Sequence, residues 1–262
     1  MPSPFLSTAI EAAQAAAVVI RRYYQQNIAI TIKADKSPVT AADVETEQVI
    51  RKLISSRFPD HGFYGEETGS EGLDKEYLWL VDPIDGTKAF VREYPMFSTQ
   101  IALMHKGKLI LGVSSAPQYG GGGELAYGEI NADGSSAGAF LNDKPIKVSD
   151  IDRIEGCAIS GGNLKTLALS SQWHNYGQLI ARAHRIRGYG DFLHYHLLAA
   201  GKIDVVIESD VNILDIAALS VIVEAAGGRF TQLDGKPVGL ETTTVLASNG
   251  KLHAPVREAL PY

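Results

Sequence analysis

The chain has 262 residues, 45% of them hydrophobic and 21% charged, enough to bury a substantial core as one large domain or two lobes. Its formal charge of −6, with no block of like charges, argues against nucleic acid and anionic membrane as partners. A single cysteine, Cys157, excludes an internal disulfide and a cysteine zinc cluster, and fits a reducing compartment.

Residues 7–26 predict a first helix, with Ile10, Ala13, Ala17, Ile20 and Tyr24 at helical spacing. Its apolar patch, residues 13–20, is too short to span a bilayer and has no basic segment before it, so a cytoplasmic protein is expected. A strand-like run at 28–32 and a loop at 36–43 lead into a second helix. Thr40 is placed as its N-cap and Asp43 as the acidic partner of a capping box. Val44, Val49, Ile50, Leu53 and Ile54 are expected on its buried side, and the turn cluster 58–62 ends it. Phe63 and Tyr64 then lead to Gly65-Glu66-Glu67-Thr68 and a polar loop at 69–75.

The next stretch carries the chemistry. Leu78, Trp79, Leu80 and Val81 form an apolar run suited to a covered strand. The run is expected to stop at Asp82-Pro83, because proline offers no N–H to a ladder. Asp82 and Asp85 then fall within one turn, followed by Gly86 and Thr87. A carboxylate pair at the end of a strand suits a hard cation, and Gly86 lets backbone amides approach an anion. An acidic protein can bind a phosphate ester in this way if metal ions supply the positive field. The same residues also describe an ordinary surface turn.

Beyond it, residues 98–104 and 108–115 read as a hairpin, 117–123 as a flexible glycine-rich loop, and 125–130 and 139–141 as short strands. The second half alternates. Strands are expected at 157–160, 185–188, 203–207, 229–231 and 243–247, and helices at 172–183, 192–200, 215–226 and 253–260. The fold class is therefore α/β, with an α+β lobe at 1–150 and an α/β lobe at 151–262. Glu66, Asp43 and Asp215 also lie at element boundaries. Taken singly, Asp43 or Asp215 is ordinarily a helix cap, and Glu66-Glu67 a solvated loop.

Taken together, Gly65-Glu66-Glu67, then Trp79-Leu80-Val81-Asp82-Pro83-Ile84-Asp85-Gly86-Thr87, then Asp215-Ile216-Ala217-Ala218 with Glu224-Ala225-Ala226-Gly227-Gly228, resemble the inositol monophosphatase superfamily of magnesium-dependent phosphatases. The resemblance implies a layered αβαβα sugar-phosphatase fold, a homodimer, and two to three Mg2+ ions per site. It places Glu66, Asp82 and the carbonyl of Ile84 on a first ion, and Asp82, Asp85 and Asp215 on a second, with Glu66 near a third. Asp43 and Thr87 would orient and deprotonate the attacking water, with Glu66 completing the catalytic set. The amides of Gly86 and Thr87 would cradle phosphate, and Asp191 and Glu208 would contact the leaving alcohol. Hydrolysis of this kind rests on positioning and charge neutralisation, without a covalent phosphoenzyme.

Within that superfamily, Arg187-Gly188-Tyr189-Gly190-Asp191-Phe192 and Gly86-Thr87-Lys88-Ala89-Phe90, with the tail at 247–253, look more like histidinol-phosphate phosphatases than inositol enzymes. Two carboxylates suit a cationic amino-alcohol, though they also accept hydrogen bonds from inositol hydroxyls. Asp191 also fits a plain cap of the helix beginning at Phe192, and His194 and His196 read as packing or surface histidines. Leu214 stands where the family usually has tryptophan, and Leu219 where inositol-type members usually have glycine. The expected function is hydrolysis of a small phosphomonoester: histidinol phosphate first, inositol monophosphate as the alternative, and a catalytically inactive binding homologue as a remote one.

Overall fold

A computed structural model describes residues 2–26, 30–32 and 38–262. The N-terminal half holds α1 (Pro4–Tyr23), β1 (Ile30–Ile32), β2 (Pro38–Thr40), α2 (Ala41–Arg57), β3 (Gly62–Gly65), β4 (Gly69–Glu71), β5 (Tyr77–Asp85), α3 (Thr87–Val91), β6 (Ser98–His105), β7 (Lys108–Ala116), β8 (Glu124–Ile130), β9 (Ser136–Leu141) and β10 (Lys144–Ile146). The remainder holds β11 (Ala158–Gly161), α4 (Lys165–Leu169), α5 (Trp173–Arg182), β12 (Arg185–Arg187), α6 (Asp191–Ala199), β13 (Val205–Ser209), α7 (Ile213–Ala225), β14 (Arg229–Thr231), β15 (Thr244–Ser248) and α8 (His253–Ala259). The strand-like run at 28–32 and the loop at 36–43 lie partly outside the described residues.

Two sheets organise these elements. The larger has the order β10-β9-β8-β7-β6-β5-β3-β4 and is antiparallel except where β3 runs parallel to β5. The smaller has the order β12-β11-β13-β15-β14, with parallel pairing on one side of β13 and antiparallel on the other. Alternation along β5 sorts its side chains to opposite faces. Trp79 and Val81 pack with Leu6, Ala9, Ala12, Ala13 and Ala16 of α1 and Ile50 and Ile54 of α2. Leu78 and Leu80 face α6 and α7, which also meet Val206, Phe230, Val245 and Ala247 of the smaller sheet. On the far side of that sheet, Ile159, Val205, Ile207 and Leu246 pack with Tyr176 and Leu179 of α5 and Val256 of α8. The layers run α-β-α-β-α.

The strand that carries the acids does not stop at Pro83. β5 continues to Asp85 through a register shift: Asp82 pairs with Gln100 and Asp85 with Ser98, so three steps on β5 oppose two on β6. A bulge is where a proline can sit inside a sheet, since the ladder is already interrupted there. One extra residue also cancels the alternation, so Asp82 and Asp85 emerge on the same side.

Further differences concern the helices and the polar loop. Val44, expected inward, is exposed, and α2 instead buries Ala42, Asp43, Thr46, Glu47, Ile50 and Ile54. The loop at 69–75 contains the short strand β4, paired antiparallel with β3. Helix α7 begins two residues before Asp215, capped by Asn212. Among the described residues, no helix is long and apolar enough to cross a membrane.

Candidate active site

The bulge of β5 opens into a cavity of about 400 Å³ where the N-terminal ends of α3, α6 and α7 meet. Glu66, Asp82, Ile84, Asp85, Gly86, Thr87, Asp191 and Asp215 line it, with Lys88, Arg92 and Tyr94 toward its mouth. Each of Asp82, Asp85 and Asp215 contributes a carboxylate oxygen to a set lying within 4.8 Å of one another. Asp82 is 2% exposed, and its Oδ1 accepts the Ile84 N–H at 2.9 Å. The Ile84 side chain is plugged into a cluster with Ile20, Ala42, Phe90 and Phe97, which fixes the bulge from behind.

Asp43 and Asp215 are built alike. Each is the third residue of its helix and completes a capping box, so the cap reading is correct for both. The cap uses one oxygen: Asp43 Oδ2 accepts the Thr40 N–H and hydroxyl, both at 2.7 Å, and Asp215 Oδ2 accepts the Asn212 N–H at 3.0 Å. Asp43 Oδ1 remains for Thr87, whose hydroxyl lies 3.2 Å from it and 3.1 Å from the Ile84 carbonyl. Asp43 itself is buried away from the cavity and meets it through Thr87.

Gly86 has φ +89 and opens α3. A Cβ there would stand 2.6 Å from the Met96 carbonyl oxygen, so the position requires glycine both sterically and conformationally. The Ala89 N–H turns back to the Gly86 carbonyl at 2.8 Å, whereas the amides of Gly86 and Thr87 come ahead of any acceptor within the helix, as at any helix start.

The charges in this pocket oppose one another. Burial, then the nearby charges of Glu66, Asp85 and Asp215, push the Asp82 carboxyl well above the usual range. Burial, followed by Asp215 and Asp191, does the same to Asp85. Burial raises Asp215 to about 6, against the pull of the Asn212 amide. Several carboxylates cannot all ionise in so small a space without a compensating cation. The donors are all hard oxygens, so the arrangement fits a small divalent ion such as Mg2+.

The sequence matches the inositol monophosphatase family over residues 1–261. The chain belongs to that family. It is thereby a phosphoric monoester hydrolase of a metal-dependent family acting on small phosphate monoesters. It is 36% identical to a histidinol-phosphatase of Mycobacterium tuberculosis over 237 residues, covering 88% of each chain. It is 32% identical to an inositol-1-monophosphatase of Synechocystis over 231 residues, covering 85% of this chain and 76% of that one. In three dimensions it resembles the extragenic suppressor protein suhB from Bartonella henselae, with a TM-score of 0.86, 29% identity and 98% of each chain covered.

In this inositol monophosphatase family member, Asp191 is not a side-chain cap. It is the first residue of α6, carries an unusual φ of +45, and lines the cavity. Such backbone strain in a non-glycine residue is typical of positions held for a side chain's placement. Glu208, on β13, lies behind the cavity wall: Oε2 accepts the Tyr195 hydroxyl at 2.7 Å and Oε1 the Asn163 N–H at 3.1 Å. Burial opposes its ionisation, but the neighbouring His194 ring, with the Tyr195 hydroxyl and the Asn163 amide, holds its carboxyl below the usual range. His194 and His196 are both fully buried, which removes the surface reading. His194 Nε2 lies 3.3 Å from Glu208, and His196 joins Glu124 and Ser114, each at 2.9 Å. Leu214 packs into the core beside Asp215 and is not on the cavity wall. Cys157 is buried, and burial pushes its thiol up to about 11, which removes it as a nucleophile.

Two residues near the site were not singled out from sequence, Glu47 and Tyr195. Spacing would have found Glu47, because it is one helical turn past Asp43 and three residues before Ile50, on the buried face. Tyr195 had no comparable signal; its role depends on β13 lying beside α6.

Proposed function

We propose that this chain is a magnesium-dependent histidinol-phosphate phosphatase, working as a cytoplasmic homodimer of two-lobed subunits divided near residue 150. The observation that carries the metal reading is the convergence of Asp82, Asp85 and Asp215 within 4.8 Å, beside the Asp43–Thr87 pair. Glu66, Asp82 and the Ile84 carbonyl would hold one ion, and Asp82, Asp85 and Asp215 a second, with Glu66 near a third. Mg2+, when bound, supplies Lewis-acid charge that activates water and neutralises the phosphoryl oxygens.

The chain's own groups do the rest. With its proton on the Asp43 side, Thr87 turns an oxygen lone pair to the cavity and orients the attacking water. Burial raises the basicity of Asp43, which takes a proton relayed through Thr87 as the water oxygen bonds to phosphorus. The ester P–O bond breaks, and the leaving alkoxide is protonated by solvent. Backbone amides of Gly86 and Thr87 would hold non-bridging phosphate oxygens at the start of α3.

Asp191 at the wall and Glu208 behind it favour a cationic leaving alcohol, and Leu219 and the histidinol-phosphatase relative support histidinol over inositol. The Synechocystis relative supports inositol 1-phosphate as the second reading. Phosphate release from the two esters, side by side with Mg2+ and with excess chelator, tests the proposal. A higher kcat/KM for histidinol phosphate, lost in chelator, is expected. A preference for inositol 1-phosphate would overturn the substrate, and turnover in chelator would overturn the metal site.

A further inference from the structure

Helix α2 buries a second carboxylate one turn beyond Asp43. Glu47 is 0% exposed, and its two oxygens hold two successive backbone amides. Oε2 accepts the Glu67 N–H at 2.8 Å and Oε1 the Thr68 N–H at 2.7 Å. Gly65 closes the arrangement from the near side: a Cβ there would stand 2.5 Å from the Glu47 carboxyl carbon. On the strand side, the Glu66 N–H donates to the Val81 carbonyl at 3.2 Å. The turn 65–68 is thus gripped between β5 and α2, with Glu66 at its centre and lining the cavity.

We propose that Glu47 is a positioning residue that fixes the turn carrying Glu66, and thereby sets the affinity of the cation site Glu66 serves. The inference rests on the metal reading of Glu66 given above. A carboxylate suits this task because charge-assisted bonds to two adjacent N–H groups need two acceptor oxygens in one plane. Glutamine offers only one acceptor, with an NH2 group opposing the second amide. A buried charge is costly unless fully hydrogen-bonded, so the paired bonds make it tolerable here. Residues four apart share a helix face, so α2 presents Asp43 to Thr87 and Glu47 to the Glu66 turn from one rigid body. Movement of α2 therefore displaces both functions together.

The test uses the full chain with Glu47→Gln, Glu47→Asp and Glu66→Gln. Mg2+ binding is read by calorimetry on the protein alone, and amide hydrogen exchange is read at residues 67 and 68. Both Glu47 variants are expected to weaken Mg2+ binding by about 10- to 100-fold, the usual effect of removing an orienting partner of a ligand. Exchange at Glu67 and Thr68 should accelerate while β6 and β7 stay protected. At saturating Mg2+, the KM for the phosphoester should be nearly unchanged, which a general loss of packing would not spare. Unchanged Mg2+ affinity in a folded Glu47→Gln, with Glu66→Gln weakened, would overturn the inference alone. Unchanged affinity in Glu66→Gln would instead overturn the metal reading of Glu66. In the unaltered protein the two amides should already be slow to exchange without Mg2+, and fast exchange there would overturn the inference without any variant.

Discussion

Gly112 of β7 lies directly beneath Ala218 of α7: a Cβ at residue 112 would stand 2.1 Å from the Ala218 carbonyl oxygen. Its cross-strand partner on β8 is another glycine, Gly128, where a Cβ would come within 2.8 Å of the Ala225 side chain. The two glycines make a trough in the larger sheet in which α7, and with it Asp215, is seated. Gly112→Ala is expected to destabilise the protein by about 1–3 kcal/mol or more, since backbone must move to admit the methyl group. It should also lower turnover by displacing Asp215. Urea midpoints and initial rates on the same preparation check both.

Asp82→Asn is expected to abolish phosphate release while leaving the fold intact. In chelator, the variant should melt above the parent at neutral pH, because it removes one of the mutually repelling buried carboxylates. Melting curves with chelator and assays with Mg2+ give the two readouts. Retained turnover would remove Asp82 from the site.

The acid cluster also dictates how metal and pH interact. Asp215 moves from 3.8 to about 6 on folding without metal, so the folded state binds more protons than the unfolded between those values. Its contribution to stability is complete below about 3.8 and is lost as pH rises through 6. Asp82 and Asp85 shift in the same direction. A divalent cation reverses the penalty by favouring the ionised forms. The gain in Tm from Mg2+ over chelator should therefore grow steadily from pH 5 to pH 8, and a pH-independent gain would place the ion elsewhere.

His253 titrates in the opposite sense. Burial, then Arg229 and Arg257, lower it from 6.5 to about 4, while Thr231 and Ser248 bond the neutral ring at 3.0 and 3.1 Å. The unfolded chain thus binds the extra proton first, so this stability is complete above pH 6.5 and is lost as pH falls toward 4. After allowance for solvent screening near the two arginines, the loss is roughly 2 kcal/mol. His253→Gln should flatten the urea midpoint between pH 6.5 and 4 relative to the parent.

The acids of the site were legible because each lies at an element boundary in a motif whose order the fold preserves. Their geometry was not. Pro83 reads as a strand stop, and only the pairing of Asp82 with Gln100 and Asp85 with Ser98 reveals a strand that continues through a bulge. The buried face of α2 escapes apolar periodicity for a related reason. Its buried face carries Asp43, Thr46 and Glu47, so apolar periodicity points to Val44, which the structure leaves 38% exposed. Asp191 and Glu208 were found as residues, but their different depths depend on how α6 lies against β13. That relation between distant segments leaves no trace in local sequence.

Helix α7 buries 11 of its 13 residues, with one sheet on either side. Ordinary helices keep a wet face on which sequence can drift at little cost. This one has almost none, and most alterations must be matched by a partner in one of two sheets. In a saturation mutagenesis screen, α7 should stand out as a continuous block of intolerance, whereas α5, with Tyr176 and Leu179 its only buried residues, should show the familiar three-to-four-residue rhythm.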